Sequence, residues 1–376
     1  MKVKAIDIAR KLNISKASVS LALNGKPGVS EQTREAVLMC MEELKNGGDG
    51  SGIGENGSRN GGDGSRIGGG EGRNGSRIGR EPQGTGSDEA ALSRSGMGLM
   101  IKIVMVSKGL NIIRESELDL WTDVLRVFDR EARKDGYTIG ITYVDMPGDD
   151  ISSVVDECNS PLIAGVILYA TEMDEADFER FQSVRKPMII YDNDFSDQFH
   201  CVNIDNVSAS AMAVDYLADR GCRRIQYLSQ YSDIYNFRQR RAGFRAGLRR
   251  HGMAADQESM VRIGTTIDTV EANMKDYLKH HGLPDAFVME NYQISIGVLN
   301  ALRSMQIPVP GSVSLIGIDE LPSYVTGDCR LATVRISHVE RATAVMMILR
   351  REMKEAFPVK FKILSRCSLL PGDSVK

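Results

Sequence analysis

Between Ser15 and Leu21 the chain gathers Ser15, Lys16, Ala17, Ser18, Ser20 and Leu21 around one apolar anchor, Val19. These are short or hydrogen-bonding side chains, and on a helix they let the backbone come close to whatever lies opposite. Serine hydroxyls donate and accept, and Lys16 can donate to a guanine edge or a phosphate. Ala17 and Leu21 offer apolar contact of the kind a thymine methyl accepts. This is the chemistry of reading a major groove rather than of breaking bonds. Asn24, Ser30 and Thr33 follow in turns and helix starts, where amides and hydroxyls hold phosphates; serines in such places also cap helices. Lys4 is counted with them as a DNA contact.

Charge points the same way. The whole chain carries −3, but residues 1–30 hold Lys2, Lys4, Arg10, Lys11, Lys16 and Lys26 against Asp7, a local +5 on a body of −8. A basic head on an acidic body suits a head that meets phosphates. The elements that position this head are short and helical. Ile6, Ala9, Leu12 and Ile14 make one apolar face, Val19, Ala22 and Leu23 a second, and Ala36, Val37, Met41 and Leu44 a third. Asn13-Ile14-Ser15 and Asn24-Gly25-Lys26-Pro27-Gly28 break the runs, which predicts a helix-turn-helix headpiece over residues 1–46.

Seventeen of the 37 glycines fall within residues 47–87. Asp49-Gly-Ser-Gly-Ile-Gly54, Asp63-Gly-Ser-Arg-Ile-Gly68 and Asn74-Gly-Ser-Arg-Ile-Gly79 are near-repeats at uneven spacing. The uneven spacing argues against a calcium-binding glycine repeat. With three isolated isoleucines as its only large apolar residues, the tract has too little to bury and reads as a disordered linker.

From Met100 the texture becomes α/β. Strands are expected at Met100–Ser107, Tyr137–Val144, Ile163–Tyr169, Pro187–Tyr191, Arg224–Leu228, Ala286–Met289 and Ser314–Gly317. Helices are expected at Leu118–Asp135, Ala209–Arg220, Arg240–His251 and Gln293–Met305. This alternation predicts two doubly wound parallel-sheet subdomains over residues 97–376, with a ligand crevice at the strand C-termini. The six cysteines form no CxxC pair, no 18-residue apolar run exists, and the first residues lack a secretory h-region. A cytoplasmic protein without membrane span, metal site or cofactor is expected. No nucleophile elbow, zinc-protease motif or P-loop appears, and His280-His281 reads as a helix end, so no enzyme is expected.

The ordered set Ala5-Ile6-Asp7-Ile8-Ala9, Ile14-Ser15-Lys16-Ala17-Ser18-Val19-Ser20, Leu23-Asn24 and Val29-Ser30-x-x-Thr33-Arg34 resembles the headpiece of the lactose-repressor (LacI/GalR) family of bacterial transcription regulators. The body repeats the resemblance in Gly221-Cys-Arg-Arg-Ile225, Val202-Asn203-Ile204-Asp205-Asn206, Arg240-Arg241-Ala242-Gly243-Phe244, Ser314-Leu315-Ile316-Gly317-Ile318-Asp319 and Leu331-Ala332-Thr333-Val334. The resemblance implies a homodimeric repressor on double-stranded operator DNA, with a sugar, phosphosugar or other metabolite as effector and a periplasmic-binding-protein-like body. It assigns operator choice to Lys16, Ala17 and Leu21; many relatives carry arginine where Leu21 stands. It also implies a hinge helix, placed at residues 88–96 with Leu92 as a minor-groove wedge. The glycine tract, with an r.m.s. span of roughly 35 Å, would then separate headpiece from hinge where relatives have a few residues.

For the effector, the resemblance makes Arg240 the clamp, since a guanidinium offers five donors in a fixed fork. Asp192 and Trp121 match further pocket positions, and Ser107, Tyr169 and Asp319, at strand ends, are assigned to the same cleft. Sugar-binding relatives usually carry aspartate where Tyr292 stands. Tyrosine fills space and has one hydroxyl, so the substitution argues against a simple sugar. Two alternatives therefore accompany the ligand-controlled regulator: an effector-independent DNA binder with a degenerate cleft, and a sugar-binding receptor.

Overall fold

A computed structural model of the chain describes Ile8, Val19, Ala22, Leu23, Val37 and Met41, and residues 98–110, 120–146, 148–327 and 329–376. The chain divides into two compact units, Met1–Gly79 and Arg80–Lys376. In the smaller unit all six described residues are helical, and Ile8, Val19, Ala22 and Val37 are buried. Leu23, expected in the buried stripe, is 37% exposed; a unit this small covers only a narrow stripe of each helix. Lys4, Ser15, Lys16, Ala17, Ser18, Ser20, Leu21, Asn24, Ser30, Thr33 and Leu92, the glycine tract and the hinge segment lie outside the described residues.

The larger unit holds two lobes. The first is built on β1 (Met100–Ser107), β2 (Thr138–Asp145), β3 (Ile163–Tyr169), β4 (Met188–Tyr191) and β5 (His200–Ile204), with helices α1 (Leu120–Arg133), α2 (Ile151–Cys158) and α3 (Glu175–Glu179) between them. The second runs through α4 (Asn206–Ala218), β6 (Ile225–Ser229), α5 (Tyr235–Arg250), β7 (Met260–Arg262), α6 (Ile267–His280), β8 (Ala286–Met289), α7 (Tyr292–Ser304), β9 (Ser314–Ile318), α8 (Ser323–Thr326) and β10 (Ala332–Arg335). The chain then returns to the first lobe as α9 (His338–Lys354) and β11 (Lys362–Ser365), and ends in the second as β12 (Ser368–Leu370).

The sheets are ordered β11-β5-β4-β3-β1-β2 and β12-β10-β9-β8-β6-β7. Every pairing is parallel except β10 with β12. Each lobe repeats the same doubly wound order, so each has a switch point, β1/β3 and β6/β8, at the carboxyl ends of its strands. The buried runs explain the strands: β1, β3, β4, β8 and β9 are apolar almost throughout because helices cover both faces. Each sheet accordingly packs two apolar clusters, one per face. In the second lobe α5 crosses α4 so closely that a Cβ at Gly243 would overlap the Val207 carbonyl, which accounts for glycine in that string. Among the described residues no helix is long and apolar enough to cross a membrane.

Candidate functional site

The carboxyl ends of both sheets face one cleft of about 720 Å³, counted with its open mouth. In doubly wound sheets, ligands bind at the carboxyl ends of the strands. The topology brings its polar residues there: Tyr169 ends β3, Asp192 follows β4, Arg240 lies on α5, Asn291 caps α7, and Asp319 follows β9. Asp192 and Asp319 both adopt left-handed backbone, φ 68° and 82°. Such positions cost energy in non-glycine residues and persist where the surroundings fix them, often at binding sites; aspartate tolerates them better than most.

On the first lobe Asp192 is fully engaged. One oxygen accepts from Arg341; the other accepts from Thr171 Oγ1 at 2.5 Å and from Asn236 Nδ2 at 3.3 Å. Arg341, from α9, is buried and stands 4.7 Å from the centre of the Tyr191 ring. The Tyr191 hydroxyl is pushed up to about 12, burial outweighing the Arg341 charge. Tyr169, 5.6 Å from Tyr191 between ring centres, is also raised by burial and then by Asp192. Both phenols therefore keep their protons at neutral pH.

On the second lobe Arg240 is buried. Its Nε donates to Asn206 Oδ1 at 2.8 Å, its Nη1 donates to the Glu290 carbonyl at 2.5 Å, and Asp319 Oδ2 lies 3.9 Å from Nη1. Asn291 caps α7 by accepting from the Ile294 amide at 3.1 Å. Tyr292 is buried in the lobe's apolar cluster and lines the cleft. His338, at the start of α9, also lines the cleft; burial, and then Arg341, hold its imidazole below the usual range and therefore neutral at pH 7.

The lobes touch through Asn236. Its Nδ2 donates to the Asp192 carbonyl at 2.9 Å, and its Oδ1 accepts from Asn203 at 2.9 Å and Asn206 at 3.0 Å. A residue at the start of α5 thus clasps the ends of β4 and β5 of the other lobe.

Of the residues assigned to the effector from sequence, Tyr169, Asp192, Arg240, Tyr292 and Asp319 all line this cleft. Ser107 ends β1 but does not line it; its Oγ accepts from the Gly109 amide at 3.2 Å. Trp121 lies on α1, and its side chain is outside the described residues. Sequence reasoning missed Asn236, Arg341, His338 and the cleft role of Asn291. For Arg341 a signal existed: Ser337-x-x-Glu340 is a helix-start pattern, and Ala342, Val345, Met346 and Leu349 follow at helical spacing. Among the described residues no group of histidine, cysteine and carboxylate side chains is placed to hold a metal ion.

The larger unit is thus a two-lobed α/β body with a polar cleft, and the described residues of the smaller unit are helical. Comparisons with known proteins agree. Residues 6–45 match the family described as bacterial regulatory proteins, lacI family, and residues 214–375 match the periplasmic binding protein-like domain. The repressor CytR of Escherichia coli K12 is 22% identical over 259 residues, 68% of this chain and 75% of that protein. The regulator MalR of Streptomyces coelicolor is 25% identical over 350 residues, 89% of this chain and 86% of that protein. GalS of Salmonella typhimurium is 35% identical over 136 residues, 36% of this chain and 40% of that protein. Among solved structures, the regulator CelR in complex with cellobiose gives a TM-score of 0.65 at 17% identity, covering 99% of this chain and all of that one. The lac repressor dimer bound to operator and an anti-inducer gives 0.62 at 16% identity, covering 100% and 99%. The chain joins a lacI-family DNA-binding domain to a periplasmic-binding-protein-like domain, and it is a DNA-binding transcriptional regulator.

Proposed function

We propose that the chain is a cytoplasmic, non-enzymatic repressor that binds operator DNA as a homodimer and changes its grip when a small molecule enters the cleft. The supporting observation is convergence: Arg240, Asn291 and Asp319 meet across from Tyr169 and Asp192 in a cleft between two lobes clasped by Asn236. A ligand that bridges the walls biases the angle between the lobes, and the two protomers transmit that bias to DNA affinity. In this reading the headpiece spans residues 1–46 and the hinge residues 88–96. Lys16, Ala17 and Leu21 read bases, while Lys4, Ser15, Ser18, Ser20, Asn24, Ser30 and Thr33 fix the register, with Leu92 as wedge. Arg240 is the effector clamp.

A second reading, an effector-independent binder, draws support from Asp192. Arg341, Thr171 and Asn236 already satisfy this carboxylate, so that wall needs no ligand to be complete. The test measures operator affinity by fluorescence anisotropy for the full chain and for Arg240→Met, with and without a small-molecule extract of the host. Ligand control predicts that the extract shifts the affinity of the parent chain and not of the variant. An identical response in both refutes the Arg240 assignment, and no response in either favours the second reading.

A further inference from the structure

The second lobe holds a further polar cluster, in which Glu290 and Arg241 do not line the cleft. Glu290, just past β8, is wholly buried, and its Oε1 makes no hydrogen bond among the described residues. Arg241 Nη1, from α5, is likewise buried and unbonded, and faces that oxygen at 3.9 Å. A protonated carboxyl tolerates this gap. An ionised one does not, because a buried charge without a donor is costly.

The groups that face Glu290 leave Arg241 to answer its charge. From β6 come the Gln230 amide, bonded to Oε2 at 2.9 Å, and the Tyr227 phenol. Burial, and then Glu290, raise that phenol well above its usual range, so it stays protonated. α4 brings the uncharged Ser210 and Asn206. β9, on the other side of β8, carries no ionisable side chain; Asp319, which follows it, stands beside Arg240. Arg240 itself is committed to Asn206 and the Glu290 carbonyl. Burial lifts the Glu290 carboxyl to about 7, so its charge appears within the neutral range.

Arg241 has a second partner at the surface. It donates to Asp233, which is half-exposed in the segment before α5. That tether matters because α5 starts without a side-chain cap: its N-cap is Ile234. Asn236, two residues on, clasps Asp192 and Asn203 of the first lobe. The other cation on Asp233 is Arg238, at 3.4 Å and half-exposed. A shift of about 1 Å would bring Arg241 Nη1 into a charge-assisted bond with Glu290 Oε1.

We propose that Glu290 and Arg241 form a proton-operated latch on the interlobe clasp. With Glu290 protonated, Arg241 holds Asp233 and, through it, the start of α5. When Glu290 loses its proton, Arg241 turns inward to the carboxylate, Asp233 is released, and the clasp at Asn236 loosens.

The test is amide exchange of the full chain at about pH 6 and about pH 8, with rates corrected for the intrinsic effect of pH. Protection of the segment 231–238 should fall about 10-fold between the two in the parent chain, while the core of β3 stays unchanged. Glu290→Gln, which keeps the shape of the protonated form, should stay protected at both. Asp233→Asn, at a half-exposed position that the fold tolerates, should be weakly protected at both. Equal protection of the parent at the two pH values overturns the latch. So does a fall of the same size in Glu290→Gln, or in Asp233→Asn. Should the glutamine variant not fold, the parent and Asp233→Asn still decide.

Discussion

Glu290 gives the sharpest quantitative expectation. It follows β8, is wholly buried, and its backbone carbonyl receives the Arg240 bond that anchors the cleft. Its Oε2 accepts from the Gln230 amide at 2.9 Å; Oε1 accepts no hydrogen bond and faces Arg241 Nη1 at 3.9 Å. Burial outweighs Arg241, the Gln230 amide and Arg240, and the carboxyl is raised from its ordinary 4.5 to about 7. A carboxyl raised on folding binds more protons in the native state than in the unfolded chain. Its stabilising contribution is complete below pH 4.5 and is lost as pH climbs through 7. At about 1.4 kcal/mol per unit, the loss totals about 3 kcal/mol. Glu290→Gln keeps the shape and removes the titration. In urea unfolding from pH 5 to 8.5, the stability of the glutamine variant relative to the parent should rise by about 3 kcal/mol, most of it between pH 5 and 7.5. A difference that stays constant over that range would refute the reasoning, because it would mean Glu290 ionises normally inside the fold.

Two further perturbations probe the cleft. Asp192→Asn keeps a residue that tolerates φ 68° but leaves the Arg341 guanidinium buried beside a neutral amide. Thermal denaturation should report a loss of about 3 kcal/mol, and the loss should shrink when Arg341→Met is added. Asn236→Ala removes the bonds that clasp Asp192 and Asn203 from the other lobe. Amide exchange of the segment 192–195 should accelerate about 10-fold or more, while the core of β3 stays protected.

The strands β1, β3 and β8 were legible to the residue, because both faces are buried and each reads as an unbroken apolar run. Helix α6 was not, since only its Val270 and Met274 are buried, too thin a stripe to stand out. Helix α9 carries a start pattern and an apolar row at helical spacing, but its six arginines, lysines and glutamates mask which of them turns inward. The three-residue β12 is too short to carry any alternation, so its antiparallel pairing, the exception in otherwise parallel sheets, had no signature. The site shows the same division. Asp192, Arg240 and Asp319 stand at the ends of recognisable elements, and their convergence follows from the doubly wound order. Arg341 looks like one more surface arginine; its burial depends on Asp192, 149 residues away, and on the chain returning to the first lobe after β10. Ser107 shows the limit of the strand-end rule, since ending a strand at the switch point did not bring it to the cleft wall.

The central claim is that this chain reads DNA through its N-terminal segment and is governed from its cleft. The most direct measurement is fluorescence anisotropy with an operator selected from genomic fragments, titrated with the full chain and with the chain lacking residues 1–46 across a range of salt. The full chain should bind the operator at least about 1,000-fold more tightly than unrelated duplex, with log affinity falling linearly against log salt. The truncated chain should not bind. Equal binding by the truncated chain, or binding by the full chain that ignores both sequence and salt, would contradict the account.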